Sequence, residues 1–418
     1  MEKGKKVLVV GSGGREHALV KSFFKSPKVS KIYCAPGNAG IAKEAECVDI
    51  KVDDIEGLTN FAQRHNIDLT VIGPEAALVA GLADAMTKQG LKVFGPSKAA
   101  AQIESSKEFA KKLMKEHNIP TGHYETFDDY DKALEFVKKG TFPTVIKYDG
   151  LAAGKGVVVA QNLDEAETAL KDMLHDHKFG KDKVIIEEFL KGPEFSFMCL
   201  VSGEKVYPLE LAQDHKRAFD GDKGPNTGGM GAYSPVPFVS PEMREKALNE
   251  IMIPTAKALS GKGMPFCGVL YGGLILTEEG PKVIEFNARF GDPETEVVLP
   301  RLESDIYDFI TAVIDGKDFI PQWNHDAVIG VVLASKGYPG AYIKGDLISG
   351  LENVNAEIFH MGTKEKDGKF YTAGGRVLMV CAFGEDLPEA NMKVKSEIEA
   401  IECPSLFYRK DIGKAIFS

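Results

Sequence analysis

A twelve-residue segment late in the third hundred of the chain carries residue types suited to metal and phosphate chemistry. It runs Val283-Ile284-Glu285-Phe286-Asn287-Ala288-Arg289-Phe290-Gly291-Asp292-Pro293-Glu294. Side chains two positions apart in a strand share a face, so Glu285, Asn287 and Arg289 are predicted to point together. Carboxylate and amide oxygens suit Mg²⁺, and an adjacent arginine can stabilise a transferring phosphoryl group. A half-exposed strand with a Glu–Arg pair is the less favoured interpretation, because Asn and Gly are poor strand formers.

A second segment suits phosphate binding. A predicted strand ends at Lys147, and a loop of small residues carries Lys155 between Gly154 and Gly156 before the next strand begins at Val157. Small residues let the backbone approach phosphates, and lysines supply point charges. Such a loop between antiparallel strands can close over a nucleotide as a lid, although it lacks the strand-to-helix context of a Walker A loop. A glycine-rich hairpin with surface lysines is the less favoured alternative.

The turn Gly11–Glu16 follows a strand and opens a helix, a place where backbone N–H groups favour an anion. Glu16 stands where a dinucleotide fingerprint would have its third glycine. On these residues alone, a tight strand–helix turn and a phosphate site remain comparable interpretations. Arg15, a cation beside the turn, favours the phosphate site.

Two further segments could contact a ligand. The strand Val184–Leu190 runs into Gly192-Pro193 and could offer backbone groups to an adenine edge, or could simply end at a hinge. The glycine-dense stretch Asn226–Pro235 suits close ligand contact, with a solvated loop as the alternative. His215, which precedes it, is interpreted as structural or electrostatic.

The elements that must position these residues alternate in type over the first hundred positions. Strands are predicted at 5–10, 31–34, 69–72 and 93–94, and helices at 15–25, 58–64 and 80–89. Buried strands alternating with helices predict a doubly wound parallel sheet, in which ligands lie at the carboxyl ends of the strands. The turns beginning at Gly11 and Gly73 occur there.

The turn-forming residues Gly95-Pro96-Ser97 interrupt the alternation and predict a domain boundary soon afterwards. We expect an N-terminal α/β domain over 1–103, a central domain over 104–329 and a small mixed α/β domain over 330–418. Within the central domain we expect a helix over 98–117, reaching back across the boundary, a long loop over 214–237 and a helix over 241–259.

Composition excludes several classes of protein. The chain has 418 residues and a formal net charge of −10, which argues against a general nucleic-acid binder. No apolar run approaches the length of a membrane helix, and the six cysteines form no CxxC pair. We therefore expect a cytoplasmic enzyme without nucleic-acid or membrane partners. Because no long exposed apolar helix is evident in the sequence, we expect a monomer.

Taken together, these segments resemble the ATP-grasp superfamily and, within it, the glycinamide ribonucleotide synthetase family. The resemblance covers essentially the whole chain and rests on residues 10–18, 36–40, 147–156, 224–235, 285–294, 337–340 and 409–413. It implies a central ATP-grasp domain with a mobile lid subdomain at about 124–190. It also implies ATP as a substrate, Mg²⁺ or Mn²⁺, and the ligation of glycine to 5-phosphoribosylamine through glycyl phosphate. The products would be glycinamide ribonucleotide, ADP and phosphate, in the second step of purine synthesis.

The resemblance also implies residue roles. Lys107 and Lys147 would hold ATP phosphates beneath Gly154, Lys155 and Gly156, with Glu187 and Leu190 at the adenine and Glu194 at the ribose. Glu285 and Asn287 would bind the metal, and Arg289, with Lys147, would be catalytic. The implied substrate-binding residues are Gly13, Gly14, Arg15, Asn38 and Glu75 for the phosphoribosyl part, and Asp214, Lys216 and Asp292 for glycine. Many ATP-grasp enzymes carry another acid on the preceding strand, but Leu270–Leu274 has none, so a second Mg²⁺ would rely mainly on ATP.

Three other functions remain as alternatives. Another ATP-grasp carboxylate–amine ligase or a carboxylating enzyme of purine synthesis would release ADP with a different carboxylate. A nicotinamide-dependent oxidoreductase would bind NAD and ignore ATP. A nucleotide sensor would bind ATP without releasing phosphate when both co-substrates are supplied.

Overall fold

The first hundred residues fold around a five-stranded parallel sheet of order β3-β2-β1-β4-β5. Its elements are β1 (Lys5–Gly11), α1 (Gly14–Phe24), β2 (Val29–Pro36), β3 (Glu46–Cys47), α2 (Ile55–Arg64), β4 (Leu69–Ile72), α3 (Glu75–Ala80), α4 (Leu82–Lys88) and β5 (Val93–Phe94). Strands β1 and β4 are largely buried, as expected for a sheet covered by helices on both faces. This computed structural model, which describes residues 4–150, 156–180 and 183–414, confirms the predicted doubly wound sheet.

The central region contains two four-stranded antiparallel sheets, of order β6-β9-β7-β8 and β11-β10-β16-β17, and a two-stranded antiparallel sheet of β13 and β14. The first sheet and its helices comprise α5 (Gln102–Ser105), α6 (Lys107–Glu116), β6 (Tyr124–Phe127), α7 (Tyr130–Lys139), β7 (Thr144–Tyr148), β8 (Val157–Ala160), α8 (Leu163–Leu170) and β9 (Val184–Glu188). The elements that follow are β10 (Glu194–Gly203), β11 (Lys205–Pro208), β12 (Gln213–Asp214), β13 (Arg217–Phe219), β14 (Lys223–Asn226), β15 (Gly231–Ser234), α9 (Pro241–Ala247), α10 (Ile253–Gly261), β16 (Phe266–Thr277), β17 (Gly280–Asn287), α11 (Thr295–Val298) and α12 (Ile306–Ile314).

The C-terminal elements are β18 (Ala327–Ser335), β19 (Leu347–Ile348), β20 (Glu357–His360), β21 (Thr363–Lys366), β22 (Lys369–Thr372), β23 (Arg376–Gly384), α13 (Leu387–Ile398) and β24 (Leu406–Phe407). A six-stranded sheet joins central and C-terminal strands in the order β12-β15-β18-β23-β20, with β24 on β18, and β19, β22 and β21 form a separate three-stranded sheet. Strand β15 pairs directly with β18. The C-terminal region is therefore hydrogen-bonded into the loop-rich part of the central region.

The lid region has an apolar core of its own. Ala133, Ile146, Leu170 and Ile186 are buried in a cluster confined to this region. A second cluster instead joins Val9 of the N-terminal sheet to residues of the central and C-terminal regions. A separate core is what a lid needs in order to move as a unit. No helix in the described residues is long and apolar enough to cross a bilayer.

Three predicted elements were wrong in detail. The helix expected over 98–117 is two helices, because Ser106 adopts an extended conformation and its hydroxyl caps α6 by accepting the Phe109 N–H at 3.1 Å. The long loop expected over 214–237 contains the short strands β13, β14 and β15 as well as the end of β12. The helix expected over 80–89 begins only at Leu82, because Gly81, whose φ is +91°, separates α4 from the short helix α3 before it.

Candidate active site

The end of β17 brings Glu285, Asn287 and Arg289 to one side of the strand. These three side chains are half-buried, whereas Phe286 and Ala288, between them, are buried. The Arg289 guanidinium lies 3.4 Å from Asn287 Oδ1. The shared face predicted from the alternation is confirmed, while the metal-binding and catalytic roles of these residues stay predictions.

The donors on β17 fit a magnesium ion that is bound together with phosphates. Gly273 and Tyr271 pair with Glu285 and Asn287 across the sheet, and a Cβ at Gly273 would lie 3.2 Å from Glu285 Cγ. In the described parts of the chain, no group of three acidic, histidine or cysteine side chains could hold a metal ion. One carboxylate and one amide leave most of an octahedral shell to phosphate oxygens and water, the usual arrangement for Mg²⁺ bound with a nucleotide.

Three lysines converge on Glu285. Lys216 Nζ lies 3.6 Å from its carboxylate. Burial opposes ionisation of this carboxylate, but Lys216, Lys147 and Lys107 outweigh burial and hold the pKa of Glu285 below its ordinary value. Burial also lowers the pKa of Lys107. The three lysines surround the ionised Glu285 carboxylate with positive charge, which suits a magnesium-bound polyphosphate.

Lys147 is placed by a bulge in β17. The pairing of β16 with β17 shifts after Gly273, which leaves Ile284 as an extra residue. Its carbonyl accepts a hydrogen bond from Lys147 Nζ at 3.0 Å. Lys147 also forms an ion pair with Glu187, at 3.1 Å. The bulge therefore ties the lid sheet to the strand that carries Glu285.

The remaining residues predicted for ATP lie along the lid sheet and the turn after it. Lys107 Nζ donates to the Gly150 carbonyl at 2.9 Å, and Gly156 accepts the Tyr148 N–H at 2.8 Å at the base of the hairpin. Gly154 and Lys155 lie outside the described residues. Glu187 is buried on β9, whereas Glu194 is exposed at the start of β10, 4.0 Å from Lys216. Leu190 lies between these strands.

The turn between β9 and β10 requires glycine at position 192. Gly192 has a φ of +148°, and a Cβ there would lie 2.0 Å from the Leu276 carbonyl oxygen. Both the backbone conformation and the close approach exclude a side chain. The turn fixes where Leu190 and Glu194 stand relative to each other.

The N-terminal turn is filled by a carboxylate from its own helix. Glu16 accepts the Gly13 N–H at 2.6 Å and forms an ion pair with Arg15 at 2.6 Å. A Cβ at Gly73 would lie 1.9 Å from Glu16 Oε1. The side chain that interrupts the dinucleotide fingerprint therefore occupies the space between the strand ends. This arrangement disfavours the nicotinamide alternative.

The same turn is joined to the β17 segment and to the C-terminal region. The Arg15 N–H faces Asp292 Oδ2 at 3.4 Å, and Asp292 also forms an ion pair with Arg376 at 2.9 Å. Asn38 donates to the carbonyls of Ser12 and His360 at 2.9 and 2.8 Å. Asn38 thus holds the loop after β2 against the C-terminal region, and its contact with a sugar stays a prediction.

Glu75 and Glu104 are the acidic partners of Arg289. The guanidinium lies 3.5 Å from Glu75 and 3.1 Å from Glu104, which also accepts the Ala288 N–H at 2.8 Å. Burial raises the pKa of Glu104. The predicted Glu75 therefore belongs to the same cluster as Arg289. Glu104 was not predicted as a site residue, because its short helix resembles a surface helix in sequence.

A small pocket is lined by Lys216 together with Ser196, Asp214 and Tyr271. Ser196 and Tyr271 hydroxyls each lie 2.8 Å from Glu294 Oε1. Among the described atoms, Asp214 Oδ1 has no hydrogen-bond partner, and burial, followed by Glu294, raises the pKa of Asp214 well above its usual range. The predicted glycine-side residues Asp214 and Lys216 thus meet at one pocket.

Two functional candidates carry no clear signal in the sequence. Arg376 donates to the Gly228 carbonyl at 2.8 Å, as well as pairing with Asp292, and so holds the glycine-dense loop against the β17 segment. Lys111 is buried beside Glu187 at 2.9 Å. In sequence, Lys111 is indistinguishable from its exposed neighbour Lys112. Only the tertiary structure separates them.

Three family models match the chain in succession: the phosphoribosylglycinamide synthetase N domain over 5–104, its ATP-grasp (A) domain over 105–295 and its C domain over 328–415. The phosphoribosylamine–glycine ligase of Halalkalibacterium halodurans is 54% identical over 415 residues, covering 98% of this chain and 97% of that protein.

Two solved structures are similar over nearly the full length. The crystal structure of phosphoribosylamine–glycine ligase from Thermotoga maritima gives a TM-score of 0.86 at 34% identity, covering 97% of this chain and 100% of that one. The structure of the biotin carboxylase domain of 2-oxoglutarate carboxylase from Hydrogenobacter thermophilus was determined with MgADP. It gives a TM-score of 0.73 at 17% identity, and the match covers 98% of this chain and 92% of that one. The second similarity shows the ATP-grasp fold alone. With all three family domains matched in order along the residues described above, the chain belongs to the phosphoribosylglycinamide synthetase family.

Proposed function

We propose that this protein joins glycine to 5-phosphoribosylamine at the expense of ATP, forming glycinamide ribonucleotide, ADP and phosphate in purine biosynthesis. The observation that carries the proposal is the meeting of Glu285, Asn287 and Arg289 with the lysines at 107, 147 and 216 on one face of the central region. A carboxylate beside a cation-rich surface is the arrangement that phosphoryl transfer requires.

The chemistry proceeds in two steps. A glycine carboxylate oxygen attacks the γ-phosphorus of ATP, the bond to the β,γ-bridging oxygen breaks, and ADP leaves with glycyl phosphate remaining. The amine of phosphoribosylamine then attacks the acyl carbon, the C–O bond to phosphate breaks, and the amine gives up a proton as the amide forms. Both steps build negative charge on oxygen, which positioned cations stabilise.

Each residue of the site has a place in these steps. Lys107 and Lys147 hold the phosphates of ATP, while Arg289 lies where it can stabilise the acyl phosphate and the tetrahedral intermediate. Glu285 and Asn287 would hold Mg²⁺, which neutralises charge on the transferring phosphoryl group when bound. Asp214, Lys216 and Asp292 are proposed to face the glycine, Asp292 from beside Arg376 and outside the pocket that the other two line. The turn Gly13–Arg15, with Asn38 and Glu75, is proposed to face the ribose phosphate.

The location proposed for this activity is the cytoplasm. All six cysteines carry free thiols, and three of them, Cys34, Cys199 and Cys381, are buried. Such thiols suit a reducing compartment such as the cytoplasm.

The test is ADP release measured with glycine alone, with freshly made phosphoribosylamine alone, and with both. We expect Mg²⁺-dependent release of ADP and formation of glycinamide ribonucleotide only when both are present. Release that requires a different carboxylate would show another ATP-grasp ligase. ATP binding without any release would show a nucleotide sensor.

A further inference from the structure

Lys111 is a buried cation to which the proposed mechanism gives no role. Lys111 is only 2% exposed, and its ammonium group lies 2.9 Å from Glu187 Oε2. Lys147 Nζ lies 3.2 Å from the same oxygen. Two ammonium groups thus share one carboxylate, and all three side chains are almost fully removed from solvent.

The position of Lys111 is fixed by a second hydrogen bond. Its Nζ donates to Thr121 Oγ1 at 2.8 Å, and the Thr121 hydroxyl donates to the Val283 carbonyl at 2.8 Å. Lys147 donates to the carbonyl of the next residue, Ile284. Both lysines are therefore anchored to the strand that carries Glu285, at the junction of the two central sheets.

The charges of this cluster do not cancel. Two ammonium groups and one carboxylate leave a net charge of +1. Lys111 can therefore balance the charge of Glu187, and the charge of Lys147 remains uncompensated. Without Lys111, Lys147 and Glu187 would form a neutral pair, and a phosphate would have to compete with Glu187 for Lys147. Because Glu187 is buried and poorly solvated, it would bind Lys147 strongly as its single remaining partner, and phosphate binding would be weakened.

We propose that Lys111 is a positioning residue for ATP, which neutralises Glu187 so that the charge of Lys147 remains available to the ATP phosphates. This inference rests on the proposed function, because it takes Lys147 as the phosphate ligand. It assigns to Lys111 an effect on phosphate binding that is much larger than any effect on the adenosine part of ATP, which Glu187 is predicted to contact.

The first experiment compares Lys111→Met with Lys112→Met. Methionine keeps most of the lysine stem but removes the charge. Lys112, the next residue on α6, has a side chain that is 62% exposed and pairs with Glu108 at 3.0 Å, so its variant is the matched control. Binding of MgATP is measured by isothermal titration calorimetry, and binding of adenosine by saturation-transfer NMR.

We expect Lys111→Met to weaken MgATP binding about 30-fold, the effect of one unit charge several ångströms from a phosphate at an effective dielectric of about 20. Adenosine binding should stay within about twofold, and Lys112→Met should change neither. Equal weakening of ATP and adenosine would indicate a general structural role and overturn the proposal. Unchanged ATP binding would also overturn it.

A double variant tests the charge argument even if Lys111→Met folds poorly. Lys111→Met with Glu187→Gln removes the cation and the carboxylate together, which leaves the charge of Lys147 uncompensated as in the original chain. We expect its ratio of ATP to adenosine affinity to return to within about threefold of the original value. A ratio as low as that expected for Lys111→Met would contradict the proposal.

Lys147→Met separates failure of this inference from failure of the proposed function. If Lys147→Met weakens ATP binding and Lys111→Met does not, only the inference fails. If neither variant affects ATP, Lys147 is not a phosphate ligand, and the proposed nucleotide site is itself wrong.

Discussion

Replacing Glu285 by glutamine should separate catalysis from stability. The pKa of Glu285 is lowered in the folded protein despite burial, because Lys216, Lys147 and Lys107 favour its ionised form. The charge therefore contributes stability above the unfolded pKa, which is lost as pH falls through the folded pKa. At the 3.6 Å separation from Lys216, an effective dielectric of about 20 gives roughly 4–5 kcal/mol. Both side chains are 36% exposed, so screening reduces the net loss to about 1 kcal/mol.

The effect on turnover should be much larger. A metal ion supplies several kcal/mol of charge stabilisation in the transition state, and each 1.36 kcal/mol is a factor of ten, so we expect kcat to fall about 10³-fold. Glu279→Gln is the matched control, since Glu279 lies just before the same strand with a side chain 76% exposed. The assays are ADP release across a Mg²⁺ titration and urea unfolding. A folded Glu285→Gln protein with turnover within threefold of the original and the same Mg²⁺ dependence would refute the assignment.

Three further variants test other parts of the structure. Lys147→Met should raise the KM for ATP at least about tenfold in steady-state ADP release, because it removes a charge-assisted phosphate contact; an unchanged KM would contradict this role. Gly192→Ala should lower the free energy of unfolding by more than about 1 kcal/mol in urea titrations, since the added Cβ meets the Leu276 carbonyl; full stability would show that the turn can shift. Burial, followed by His17, lowers the pKa of His360 to about 3, so stability should fall by about 1 kcal/mol between pH 7.5 and 5.5, as the unfolded state takes up the proton. His360→Asn should remove this part of the pH dependence in urea unfolding, and an unchanged slope would exclude His360 as its source.

The sequence was most informative where local periodicity determines structure. Alternation on β17 places Glu285, Asn287 and Arg289 on one face without any knowledge of the fold. The bulge at Ile284 was not predictable, because it depends on how β16 pairs with β17. The break at Ser106 was missed because the serine that caps α6 also fits a continuous helix pattern.

Tertiary contacts determined the rest of the site. Lys111 and Lys112 have the same residue type in the same helix, and only packing makes one a buried partner of Glu187 and the other a surface charge. Glu104 and Arg376 likewise approach Arg289 and Asp292 from distant positions in the chain. Such long-range pairs leave no periodic signal.

The pairing of β15 with β18 has a consequence for modular engineering of this enzyme. The glycine-dense loop before β15 leads into a strand that pairs with β18 of the C-terminal region, and Arg376 of that region donates a hydrogen bond to the Gly228 carbonyl in the loop. A chimera in which the final ninety residues came from another ligase would pair β15 with a strand of different sequence. The glycine-dense loop before β15 would then rest on a neighbour that does not match it. A chimera should therefore take β12, β15 and the C-terminal strands of this sheet from the same parent protein.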